Sequence, residues 1–264
     1  MRRIRKLRKR VDILLPKDNS ANNPSRIVKG VQRNKVVKKV TVPAQVAKAE
    51  IKRKEPYITP KTFKPIEPIW QGETVYLIGG GPSLKGFEWN RLKGKKTIAI
   101  NKAIEFWPHA DAMYWTDGRI YAWLKEKIHN FKGLKFTVRA MPYEDKTIHI
   151  LKKGQKFGLE TARDTLAHGN NSGYAAINLA IHLGAKRIVL LGYDMGNNGK
   201  NSHFHDGYPV NATGENIYKD QFLPGFNVIK ELLKGKDIQI FNACPTSKLN
   251  AFKKITIDEA LALR

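Results

Sequence analysis

Thr74-Val-Tyr-Leu-Ile-Gly-Gly-Gly-Pro-Ser-Leu84 is a strand-forming run that breaks into three consecutive glycines. Val75 to Ile78 have the β-branched, aromatic and aliphatic character of a strand buried on both faces. Glycine permits positive φ and carries no Cβ to hold a ligand away from the main chain. Gly79, Gly80 and Gly81 can therefore bring backbone N–H groups against a phosphate. Pro82 and Ser83 suit the first turn of a following helix, whose N-terminus favours anions. The stretch thus predicts a nucleotide-binding turn. It has neither the Lys-Ser/Thr of a P-loop nor Gly-x-Gly-x-x-Gly, because Leu84 stands at the last glycine position. A tight strand-to-helix turn without a ligand would carry the same residues.

Working outward, short apolar runs alternate with helical patterns, the rhythm of an α/β fold with a mainly parallel, Rossmann-like sheet flanked by helices. Strands are predicted at 74–79, 96–101, 111–116, 134–139, 187–192 and 237–242, and helices at 83–91, 119–130, 172–183 and 220–234. The clearest unit is the Ala-rich helix opened by Ser172-Gly173 and stopped by Gly184, which feeds Arg187-Ile-Val-Leu-Leu-Gly192. Ligands of open α/β sheets bind beyond the carboxyl ends of the strands, so Gly79 to Ser83, Asn101, Asp117, Asp194 and Asn242 are expected on one rim.

Charge divides the chain. Residues 1–66 carry 20 Lys and Arg against 4 Asp and Glu, a net of +16, while the other 198 residues carry 28 against 19, a net of +9. The first segment is also rich in proline and poor in aromatics. It reads as a basic, largely disordered arm, 1–68, ahead of a nucleotide-binding α/β domain, 69–264. Nonspecific attraction of nucleic acid to residues 1–66 is the expected consequence, and no zinc, RNP or helix-turn-helix signature supports sequence readout. No secretory pattern or run of roughly 20 apolar residues is present. Cys244 is the single cysteine, which rules out an internal disulfide and a cysteine-type zinc site and is compatible with a cytoplasmic protein.

The ordered motifs Ile78-Gly-Gly-Gly-Pro-Ser-Leu84, Ile100-Asn101, Asn171-Ser-Gly-Tyr174, Leu191-Gly-Tyr-Asp-Met195 and Asn242-Ala-Cys-Pro-Thr-Ser247 resemble a group of bacterial, archaeal and phage domains. It comprises the CMP-sialic-acid-dependent sialyltransferases, the motility accessory factors and the 6-hydroxymethylpterin diphosphokinase-like domains. The Gly-Tyr-Asp-Met segment with its His-x-His loop looks like the phage-encoded branch. The resemblance implies that Gly80 to Ser83 hold phosphate and ribose, that Asn101 contacts the nucleotide, that Asp117 lies on the donor side, and that Ser172 and Gly173 close over the ligand. This chain departs from the pattern at Gly80, where the group has asparagine, and at Gly169 and Asn170, where an arginine is expected. Tyr208 and Tyr218 are the nearest candidates for the group's paired tyrosines.

Transfer of a sugar needs a base for the acceptor hydroxyl, and histidine titrates near working pH. Asn201-Ser-His-Phe-His-Asp-Gly-Tyr-Pro209 supplies His203 and His205. His205 is preferred, with Asp206 or Asp194 to orient the ring. The leading expectation is therefore a glycosyltransferase acting on a nucleotide-activated donor, with no cofactor required. One alternative is a Mg²⁺-dependent pyrophosphokinase-like enzyme in which Asp117 and Asp194 hold the ion. Another is a non-catalytic phage virion or nucleic-acid-associated protein that keeps the fold. Asn242 could meet a base or ribose, or cap its own turn.

Overall fold

The structure, a computed structural model, describes residues 63–196, 203–205 and 214–263. The chain divides into two units, Met1–Arg53 and Lys54–Arg264. The first, with the predicted arm as far as residue 62, lies outside the described residues, as do Asp206 and Tyr208.

In chain order the strands are β1 (Thr74–Ile78), β2 (Lys96–Ile100), β3 (Ala112–Trp115), β4 (Leu134–Thr137), β5 (Ile148–Ile150), β6 (Lys152–Lys153), β7 (Thr165–Leu166), β8 (Arg187–Leu191), β9 (Gln239–Asn242) and β10 (Lys253–Lys254). The helices are α1 (Gly118–Asn130), α2 (Ser172–His182), α3 (Glu215–Ile217), α4 (Leu223–Leu232) and α5 (Ile257–Leu261), with a π-helical turn, Tyr218–Phe222, leading into α4. Eight strands form one sheet in the order β10-β9-β8-β1-β2-β3-β4-β5, and β6 pairs with β7 apart from it. Every ladder in both sheets is parallel.

The strand pleat divides the core. Val75 and Leu77 of β1 face one apolar layer with Tyr174 and Ile177 of α2 and Phe226 of α4, whereas Tyr76 and Ile78 face the other with Ile120, Leu124 and Ile128 of α1. All five residues of β1 are buried, which explains its unbroken apolar reading. Alanines 175, 176 and 180 of α2 are fully buried, since small side chains let that helix lie close against the sheet. Asn171 caps it by accepting the Tyr174 N–H at 3.1 Å.

All six predicted strands form, each within two residues of its expected ends, as do the helices near 119–130, 172–183 and 220–234. The helix expected over 83–91 does not. Only two 3-10 turns stand there, Pro82–Leu84 and Trp89–Leu92, because Lys85 turns extended and Gly86 takes φ +76°. No helix dipole therefore follows the glycines. Residues ahead of 69 already pack on this domain. Ile66 is buried and its N–H donates to Arg163 O at 3.0 Å.

Candidate functional site

The strand order reverses at β1. The chain runs outward through β2 to β5 on one side and returns on the other through β8 to β10. The chain leaving β1 and the chain leaving β8 lead to opposite sides of the sheet, and such a switch point at the carboxyl edge is where open α/β sheets take their ligands. A cavity of about 140 Å³ lies there. Its walls are Gly79, Gly80 and Gly81 after β1, Ile100 and Asn101 after β2, Asn171, Ser172 and Gly173 at the start of α2, Gly192 to Gly196 after β8, and His203, Tyr218 and Phe222.

The glycines act here by lacking side chains. None of the three has positive φ. A Cβ on Gly79 would come 2.7 Å from Gly192 O, one on Gly80 would meet the His203 ring at 2.8 Å, and one on Gly81 would overlap Asp194 Oδ2 and stand 2.6 Å from Gly192 O. The turn is zipped to its neighbour: Gly79 N–H donates to Leu191 O and Gly81 N–H to Gly192 O, both at 2.8 Å. Ser83 N–H donates to Asp194 Oδ1 at 3.0 Å. Most of the amides expected to face a phosphate are thus used inside the protein. Helix geometry supplies others, because the first-turn N–H groups of Ser172 and Gly173 have no intrahelical acceptor.

Asp194 sits against the glycines as an internal anion. Its Oδ2 also accepts from Ser83 Oγ at 2.7 Å, and Ser83 Oγ lies 3.0 Å from Cys244 Sγ. Burial raises the Asp194 carboxyl above its ordinary value, against the hydrogen bonds from Ser83 that lower it. The same burial, with the neighbouring Asp194 charge, pushes the Cys244 thiol up to about 11, so it is no nucleophile at neutral pH.

Of the two histidines, His203 is the one on the cavity wall. Burial, and secondarily the charge of His205, lowers it to about 4, leaving a neutral ring at pH 7. His205 is stacked on Phe106 at 5.3 Å between centroids, beside Phe204. Of the two candidate bases, the ring at the cavity is therefore His203, the one not preferred from the sequence.

Three further expected residues stand elsewhere. Asp117 caps α1 by accepting the Arg119 N–H at 2.9 Å and pairs with the Arg119 guanidinium, whose hydrogen bond holds its carboxyl below the usual value despite partial burial. Asn242 is wholly buried and donates to Leu249 O at 3.2 Å, a structural tie below the rim. Pro82 opens the 3-10 turn behind the glycines. Tyr218 does reach the wall, and Tyr193, Met195, Asn171 and Phe222 join it without having been given a role. Tyr193 and Met195 carry a signal as parts of Gly-Tyr-Asp-Met and Asn171 as the start of Asn-Ser-Gly-Tyr, whereas Phe222 has none; the Tyr193 hydroxyl donates to Gly173 O at 3.0 Å.

Backbone strain gathers at the same place. The non-glycine residues with positive φ among those described are Asn101 (54°), Asn170 (51°) and Met195 (52°). Two line the cavity and the third precedes the α2 cap. Asn101 also leaves its buried Oδ1 without a hydrogen-bond partner among the described residues. Strain and an unmet acceptor at one crevice are typical of a binding site. No Lys or Arg is among the described lining residues, and no group of three or more His, Cys, Asp or Glu able to hold a metal occurs among the described residues.

Fold and crevice together define an α/β protein with a polar, glycine-walled ligand cavity at the switch point of a parallel sheet. No family model, curated protein or solved structure matches the chain. No helix of the described residues is long and apolar enough to cross a membrane.

Proposed function

We propose that the switch-point crevice of this Rossmann-like domain binds a nucleotide-activated donor and that the protein transfers a group from it, a nucleotide sugar being the donor suggested by the sialyltransferase-like motifs. The observation that carries the reading is the meeting of Asn101, Ser172, Gly173 and His203 around one cavity beside strained Met195. The α2 amides suit a phosphate oxygen and the Asn101 carbonyl oxygen suits a ribose hydroxyl. His203, neutral at pH 7, is the group able to accept the acceptor hydroxyl's proton. Its low basicity would rise beside a bound phosphate, since a nearby anion favours the imidazolium.

One feature favours Mg²⁺-dependent pyrophosphoryl transfer as the second reading. With Asp194 as the single carboxylate and no cation among the described lining residues, a metal would offset phosphate charge that the wall does not. In that case the pyrophosphokinase-like alternative gains over sugar transfer. A basic N-terminal segment would in either case hold the protein near nucleic acid in the cytoplasm of a bacterial host.

Thermal unfolding of the full chain with CMP, CDP or UDP tests the leading reading. Stabilisation without divalent metal supports it, by RT ln(1 + [L]/Kd). Stabilisation by ATP or GTP only with Mg²⁺ selects the second reading. No response to either set, with salt-dependent retention on DNA, would leave a non-catalytic nucleic-acid-associated protein. Once a donor is found, His203→Ala should abolish transfer while keeping nucleotide binding, and full activity in that variant would remove the histidine from the mechanism.

A further inference from the structure

The cavity is smaller than the roughly 300–1,000 Å³ of sites that bury a drug-sized ligand, so at about 140 Å³ it can enclose the phosphate and part of the sugar of a nucleotide but not its base. Directly beside it stands a group of large rings at the margin of the core, Trp89 and Phe204 packed against it from one side and all four still partly open. Trp89 and Phe106 lie on the turns that follow β1 and β2, and Phe204 and His205 on the segment that Phe204 N–H ties to Gly80 O at 3.0 Å. The rings follow one another without a gap: Trp89 to Phe106 at 6.0 Å and 29°, Phe106 to Phe204 at 4.6 Å edge-on, and Phe106 to His205 at 5.3 Å and 24°. His203 links this row to the cavity, because it lines the wall while its ring centroid lies 5.6 Å from that of His205.

Each of these rings is only half-buried, whereas Trp107 and Trp115, on the same side of the sheet, are almost wholly enclosed. Packing alone explains the latter pair. Rings left partly open at the lip of a polar cavity are arranged as platforms on which bases stack.

We infer that Trp89, Phe106, Phe204 and His205 form a stacking shelf for the base of a nucleoside phosphate whose phosphate end occupies the switch-point cavity, an assignment that rests on the nucleotide reading above. Every nucleobase has a π face, so the shelf separates nucleotides from sugar phosphates more sharply than it separates one base from another. Stacking of this kind is worth enough to tighten binding by roughly tenfold.

Titration calorimetry of the full chain with CMP, AMP and ribose 5-phosphate tests the assignment, using the wild type, Trp89→Leu and Phe106→Leu. Leucine is close to phenylalanine in volume and keeps an apolar side chain at Trp89, but it has no π face. The expected result is that both nucleotides bind about tenfold more tightly than ribose 5-phosphate in the wild type and that either substitution erases most of the difference. Equal binding of all three ligands by the wild type overturns the shelf and leaves the cavity reading standing. A nucleotide advantage that survives both substitutions also overturns it, as does an equal loss for all three ligands, which is the mark of a purely structural role. Failure of the wild type to bind any of the three overturns the cavity reading and the shelf with it.

Discussion

Asp194 holds Ser83 through both carboxylate oxygens, Oδ1 on the serine N–H at 3.0 Å and Oδ2 on the hydroxyl at 2.7 Å. This clasp fastens the turn after β1 to the turn after β8, two segments far apart in sequence that both line the crevice. A side chain thus occupies ground where the bare glycine turn was expected to meet a phosphate.

The clasp has a measurable pH signature. The Asp194 carboxyl is raised in the folded protein, so between its ordinary value of 3.8 and the raised one the folded state binds the extra proton, and stability falls as pH rises through that window. Asp194→Asn should lack this fall. Chemical denaturation of both proteins between pH 3.5 and 7 provides the check, and parallel pH profiles would count against a buried carboxyl.

Adding one methyl group discriminates the glycines. A Cβ on Gly81 meets the fixed Asp194 carboxylate and the Gly192 carbonyl, while one on Gly80 meets only the His203 ring, which can swing aside. Gly81→Ala should therefore cost about 1–3 kcal/mol and Gly80→Ala distinctly less. Equilibrium unfolding measures both, with the reverse order as the contrary result.

His203 should titrate near 4 instead of near 6.5. Because its folded value is depressed, the unfolded state takes up the proton first as pH falls from about 6.5 to 4, and stability is lost across that range. His203→Gln should flatten this part of the profile. NMR of ring-labelled protein should find the His203 resonances unmoved between pH 6 and 8.

Away from the crevice, Lys135 and Asp145 form a nearly enclosed ion pair at 2.7 Å, with side chains 6% and 11% exposed. Burial alone would raise Asp145, but hydrogen bonds from Lys135 and Thr147 outweigh it and hold the carboxyl at about 2. Its stabilisation is present above 3.8 and is lost as pH drops toward 2. Asp145→Ala, which leaves the Lys135 charge buried and alone, should destabilise by roughly 3 kcal/mol, and adding Lys135→Met should restore most of that loss.

Cys244 offers a simple probe of the core. Buried, and pushed up to about 11, it should react with a disulfide reagent at pH 8 only as fast as the protein opens. Rapid modification of the native protein would contradict its burial.

Local chemistry carries far in this chain. Unbroken apolar runs such as Val75–Ile78 and Ile188–Leu191 belong to strands covered on both faces, and an alanine-rich helix stopped by Gly184 belongs against such a sheet, so the parallel α/β architecture and the glycine turn were legible from residue order alone. Gly79 to Gly81, Asn101 and Asp194, each just past a strand's carboxyl end, were expected on the rim and line the crevice, as do Ser172 and Gly173, which the resemblance pointed to, and His203, the less favoured of the two loop histidines. Tertiary structure decided the rest. Whether a rim side chain faces the crevice depends on partners distant in sequence: Arg119 and the α1 amide draw Asp117 away, Leu249 O holds Asn242 down, Phe106 takes His205, and Ser83 claims Asp194. Periodicity fixes which elements form, but only the assembled contacts fix which polar groups remain for a ligand, since each buried donor or acceptor takes the partner that packing brings within reach.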